Sequence, residues 1–132
     1  MLRAGLLVSL LAAACATHAP RADPVRGVYG AQHVRLVATD DGSVLEYDCA
    51  AGEIFGPLPA RGAFRSYGTH TPGTGGPERA GERPPAYPAT YFGRVIGDVI
   101  ELTVEADLRG GGVRLGPYRL RRGDEGKLLR CL

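Results

Sequence analysis

No apolar run in the sequence approaches the ~20 residues of a membrane span, which excludes a multi-pass helical protein. Charge of one sign is also lacking: 16 basic against 14 acidic residues leave a net +2. That is too small to imply a polyanionic partner, so no nucleic acid is expected. There is no HExxH and no Cys/His pair at zinc-finger spacing, so no metal and no cofactor is expected. A Gly-x-Ser-x-Gly elbow is missing too. The Gly-rich run Gly68 to Gly76 lacks the Gly-Lys-Ser/Thr ending of a phosphate-binding loop and does not lead into a helix. Trp is absent. What remains is 132 residues, 44% hydrophobic and 23% charged, enough for one small domain and too apolar for a mainly disordered chain.

The N-terminus carries an address. Arg3 supplies a positive charge, and Gly5 to Ala14 is an unbroken stretch of small and apolar residues, the parts of a secretory signal peptide. Leu11-Ala12-Ala13-Ala14-Cys15 resembles a bacterial lipobox, in which a diacylglycerol joins the Cys before cleavage in front of it. Ala14-Cys15-Ala16 also fits ordinary signal peptidase, which would release a soluble chain. The lipoprotein reading predicts residues 1–14 as signal peptide, 15–24 as a polar tether and 25–132 as the folded domain. Three cysteines are present, Cys15, Cys49 and Cys131, and an odd thiol in an exported protein needs an explanation. Lipid on Cys15 supplies it and leaves Cys49 and Cys131 for one disulfide. Such a bridge closes a loop of about 80 residues, worth roughly 4–5 kcal/mol in the chain-entropy model.

From Val25 onward alternation and turn residues recur, the all-β pattern. Eight strands are expected: 32–39, 43–49, 53–58, 62–70, 89–96, 99–106, 113–121 and 127–132. Val34, Leu36, Leu45, Tyr47, Cys49, Phe64, Tyr91, Val95, Ile100, Leu102, Val104, Tyr118, Leu120, Leu129 and Cys131 fall on inward positions. Asp40-Asp41-Gly42, Ala50-Ala51-Gly52, Gly97-Asp98 and Gly110-Gly111-Gly112 read as turns. Short connections favour sequential antiparallel neighbours, and closure removes exposed edges. The expected fold is a small antiparallel meander β-barrel, with a β-sandwich as the alternative.

Thr71 to Pro88 is rich in Pro and Gly, and loops of that length are functional or disordered. His33 and His70 can converge at one mouth of a barrel. His33, His70, Thr71, Arg79 and Arg83 are therefore the candidate binding residues, set against the plainer reading of surface imidazoles and a rim loop. Acidic residues such as Glu46, Asp48, Glu101 and Glu105 fall on outward positions, which favours solvation over acid–base catalysis. The Arg-rich C-terminal third, from Arg114 to Arg130, reads as a polar exterior.

Two resemblances follow from these stretches. Gly30-Ala31-Gln32-His33-Val34-Arg35-Leu36, Glu46-Tyr47-Asp48-Cys49-Ala50, Gly75-Gly76-Pro77 and Leu128-Leu129-Arg130-Cys131-Leu132 resemble a group of small exported bacterial proteins with a Gly-Gly-x-His strand and a Cys-Leu end. Leu45-Glu46-Tyr47-Asp48-Cys49, Gly123-Asp124-Glu125 and Cys131 are more weakly similar to the membrane-bound inhibitors of C-type lysozyme. The second resemblance implies a disulfide-linked β-barrel lipoprotein. Together the readings predict a non-enzymatic lipoprotein of the cell envelope. It would be a monomer held to the membrane by its N-terminal lipid, with an envelope protein or a secreted enzyme as partner. The alternatives are inhibition of a lysozyme or protease, and carriage of a small molecule inside the barrel.

Overall fold

A computed structural model describes residues 14–15, 22–73, 81 and 84–129. Eight strands form one closed barrel: β1 (Gly27–Ala31), β2 (Val34–Ala38), β3 (Gly42–Tyr47), β4 (Ala50–Phe55), β5 (Gly62–Pro72), β6 (Tyr87–Ile96), β7 (Val99–Leu108) and β8 (Gly111–Arg122). Every strand pairs antiparallel with its sequence neighbours. β8 returns to β1 through Tyr29–Arg122 and Gly30–Arg121, which closes the ring. The meander gives the barrel two distinct ends. The upper end carries the β1–β2, β3–β4 and β7–β8 turns and the β5–β6 connection. The lower end carries the other three connections and the point where the chain enters the barrel.

Alternation sends Val34, Leu36, Leu45, Ile54, Tyr91, Val95, Ile100, Leu102, Val104 and Leu120 inward, all of them buried. This is the period-2 pattern of strands with one face in a core. The register shift between Leu102 and Val104 falls on β8, where Gly116 and Pro117 leave Leu115 and Tyr118 three positions apart. β7 keeps its alternation and buries Thr103 as well, which the sequence pattern placed outward.

The strand count agrees with expectation, but the first and last strands do not. Val28 and Tyr29 form β1, ahead of the first expected strand. The segment expected as the eighth strand, 127–132, is instead represented by a strap running from Asp124 to Leu129. Its ladder pairing with the barrel, among the described residues, is a parallel bridge between Lys127 and Gln32. Leu129, expected inward, is exposed on it. Gly30 makes the strap possible, because a Cβ there would overlap the Asp124 carbonyl and the Gly126 amide. The expected turn at Ala50-Ala51-Gly52 also shifts: these residues open β4, and the chain reverses at Asp48-Cys49. A Cys49 side chain at a turn with positive φ does not continue the inward face of β3.

Candidate functional site at the upper mouth

Two tight turns shape the upper rim. His33 (φ 71°) and Cys49 (φ 63°) both hold left-handed backbone, which costs a non-glycine residue roughly 1–3 kcal/mol and is found where surrounding contacts enforce it. The strap provides such contacts. The His33 amide donates to the Lys127 carbonyl at 2.8 Å, and the Lys127 amide donates to the Ala31 carbonyl at 3.2 Å. Asp48 joins the two turns: one carboxylate oxygen meets His33 Nδ1, and the other accepts the Leu129 amide at 2.5 Å. Asp48 is thus a structural clasp, where the sequence pattern placed it in solvent. His33, expected on a strand, sits in the β1–β2 turn because its left-handed φ cannot be part of a ladder.

Below this rim lies an aromatic chamber. Tyr47 follows the inward face of β3, with the His70 ring 5.6 Å away and the Tyr118 ring 5.9 Å away, both tilted. Tyr91 reaches across from β6 and donates its hydroxyl to the Thr69 carbonyl at 2.5 Å. It fits because Gly52 has no side chain: a Cβ there would overlap the Tyr91 hydroxyl. The Tyr91 and Tyr47 hydroxyls approach closely enough to shift each other's ionisation, without a hydrogen bond of ordinary length and angle. The Tyr47 hydroxyl and His70 Nδ1 are both buried with no partner in hydrogen-bond geometry.

Burial sets the protonation of this chamber. It pushes the Tyr47 phenol far up and the Tyr91 phenol up to about 12. Burial, with the Asp48 carboxylate second, raises Tyr118. Burial lowers His70. At neutral pH the chamber therefore offers neutral hydroxyls, a neutral imidazole and aromatic faces. Such a set binds by hydrogen bonding and stacking. An unpaired buried polar atom costs about 1–3 kcal/mol, which a ligand that pairs it recovers.

The two candidate histidines share the upper end but not one contact. His33 is on the rim with Asp48, and His70 faces the interior from β5. Thr71 alternates with His70 and points to the other face, opposite Ala51. Arg79 and Arg83 lie outside the described residues, as does Cys131. Among the described residues no group of three or more His, Cys, Asp or Glu side chains is placed to hold a metal. Elsewhere the acidic and basic side chains pair off on the exterior: Arg119 with Glu101 at 2.8 Å, Arg122 with Asp98 at 3.1 Å and Arg114 with Glu105 at 3.4 Å. An open groove of about 660 Å³ on the outer face of β5–β8 is lined by Tyr67, Thr90, Glu105, Asp107 and Arg114. Its Arg114–Glu105 pair is already satisfied, whereas the chamber holds polar atoms that are not.

Sequence pattern identified the three inward tyrosines only as core. Their signal was available: hydroxyl-bearing side chains at inward positions of neighbouring strands need partners, and few are in sight. No protein-family model, no curated protein and no solved structure matches this chain.

Proposed function

We propose that the chain is an exported lipoprotein of the cell envelope, anchored by a diacylated Cys15, whose barrel is a non-catalytic binding module working through its upper mouth. The observation that carries the binding reading is the pair of buried, unpartnered polar atoms, Tyr47 Oη and His70 Nδ1, among aromatic rings beside the β5–β6 connection. A ligand group that both donates and accepts a hydrogen bond fits them. Lipidation is supported by the lipobox-like run before Cys15, which is exposed with a free thiol. A Cys49–Cys131 bridge is supported by the strap: the Leu129 amide docks on Asp48, so Cys131 follows two residues after a point adjacent to Cys49.

Intact native mass spectrometry of protein extracted gently from the producing cell tests these parts together. Expected are a diacylglyceryl adduct on Cys15, a gain of two hydrogens on reduction, and a noncovalent adduct that leaves on denaturation. Tyr47→Phe should weaken that adduct while the fold persists. A lipidated, bridged protein with no adduct, and no partner captured through the upper mouth, would remove the binding reading.

A second reading, inhibition of a secreted lysozyme, is favoured by one contact. Arg35 pairs with Glu46 at 3.6 Å and with Glu125 at 3.2 Å. It thereby joins the Glu46-Tyr47-Asp48-Cys49 and Gly123-Asp124-Glu125 stretches, the two that carry the resemblance to lysozyme inhibitors. Titrating the purified protein into a lysozyme assay decides it, since full activity at micromolar protein rules inhibition out.

A further inference from the structure

Among the described residues five large hydrophobic side chains are exposed: Val44, Phe55, Tyr67, Ile96 and Leu129. Three of them gather toward one end. Phe55 is the last residue of β4 and Ile96 the last of β6, and the meander sets both on the lower rim. Val44 lies two residues along β3 from Gly42, the partner of Phe55, so it continues the same outer face. Phe55 is 55% exposed and Ile96 49%, at an end where loops are ordinarily polar.

The chain enters the barrel at this same end. The Val25 amide donates to the Leu58 carbonyl at 3.1 Å, and Leu58 is fully buried, which pins the entering segment to the β4–β5 loop. Between them lies a hollow whose walls are Ala22, Pro24, Pro57, Pro59 and Ala60, with Arg61 at its side. Part of the rim's charge is paired: Arg26 holds Asp40 through two contacts at 2.5 and 2.9 Å, and Arg122 holds Asp98 at 3.1 Å. Arg61, beside the hollow, is exposed and belongs to neither pair.

We infer that the lower rim docks on the membrane surface, with Phe55 and Ile96 entering the headgroup–acyl boundary and the upper mouth facing away. This rests on the lipoprotein reading above and adds an orientation to it. The ten residues from Cys15 to Val25 can span at most about 35 Å. A tether of that reach lets the barrel tumble over the bilayer, so lipidation alone selects no face. Two exposed apolar side chains on the rim where the chain enters do select one, as interfacial anchors do elsewhere. Because Arg26 and Arg122 are paired, docking depends mainly on apolar contact, and Arg61 adds at most one salt-sensitive contact to an anionic headgroup.

The absence of Trp makes this directly measurable, since an introduced Trp is the only one in the chain. The lipidated full chain carrying Phe55→Trp, Ile96→Trp or Tyr67→Trp is reconstituted into phosphatidylcholine vesicles with brominated acyl chains. All three positions are exposed, and circular dichroism checks each fold. Expected are blue-shifted emission and strong bromine quenching at positions 55 and 96, with neither at position 67, present without anionic lipid and persisting at high salt. Lipidated protein with water-like, unquenched emission at 55 and 96 overturns the orientation and leaves the lipoprotein reading standing. Blue-shifted but unquenched emission assigns the rim to a second copy or another protein, and also overturns it. An intact mass without lipid on Cys15 overturns both.

Discussion

Gly52 and Tyr91 make a pair whose coupling can be measured. The Tyr91 hydroxyl occupies the space that a Cβ on Gly52 would need, and it is fixed there by its bond to the Thr69 carbonyl. Gly52→Ala therefore forces either the phenol or the β4 backbone to move. Overpacking of this kind costs about 1–3 kcal/mol. The loss of the Thr69 bond adds roughly 1 kcal/mol, and reduced chain entropy in the unfolded state returns up to about 1 kcal/mol. Gly52 lacks a positive φ, so backbone strain does not enter. Tyr91→Phe alone removes one buried bond, a loss of about 1–2 kcal/mol. In the double variant the clashing oxygen is gone, so the cost of Gly52→Ala shrinks and the two effects are less than additive by about 1–2 kcal/mol. Urea unfolding of the four proteins, with the disulfide state held constant, gives the cycle. Additivity within about 0.5 kcal/mol would place Tyr91 outside the Gly52 notch and refute the reasoning.

The remaining predictions concern the same mouth and its clasp. Burial lowers His70, so the unfolded chain binds this proton more tightly; stability should fall as pH drops below the ordinary histidine value near 6.5 and level off below the folded value. In His70→Phe that part of the pH dependence should vanish, and an unchanged profile would show that the slope comes from other groups. Asp48→Ala removes the acceptor of the Leu129 amide and the partner of His33, both partly exposed, so a loss of about 1–2 kcal/mol is expected. Amide exchange at Leu129 should quicken while β6 and β7 stay protected; uniform quickening would mean that the strap is not a separate unit. Gly30→Ala should release the strap by another route, because its Cβ meets backbone atoms of Asp124 and Gly126 that cannot rotate away. A Gly30→Ala protein with slow exchange at Lys127 would contradict this.

The barrel was legible because its central strands alternate cleanly: Ile100, Leu102 and Val104 against Glu101 and Glu105 leave one solution. Both termini of the fold were harder. β1 is five residues with two glycines, GVYGA, and gives almost no alternation to read. The strap carries Leu128 and Leu129 after a turn-rich start and so reads as a strand. Asp124 and Gly126 instead fold it back onto the β1–β2 turn, where its ladder pairing is reduced to the bridge between Lys127 and Gln32. The site was half legible. His70 stood out as a histidine beside an unusual loop, yet its environment comes from Tyr47 on β3 and Tyr118 on β8, contacts set by how the ring closes. Asp48 looked like any outward carboxylate, since its two partners arrive from residues 15 positions before it and 81 after it.

Closure by β1 against β8 has a consequence for how the molecule is made. The last hydrogen-bonded seam joins residues near 30 to residues near 121, so no smaller ring can be completed from part of the chain. Until Arg122 is available, β1 and the latest strand formed are both open edges, the state in which sheets recruit foreign strands. The other seams are local hairpins between sequence neighbours, so this one distant pairing is the step that bears the loop-closure cost and forms late. One of the barrel's two shortest strands is the one whose edge waits longest: β1 offers five residues with glycine at Gly27 and Gly30, a poor template for a stranger. The weakness of the first strand, which hid it in the sequence, protects the growing chain from aggregation before the ring is sealed.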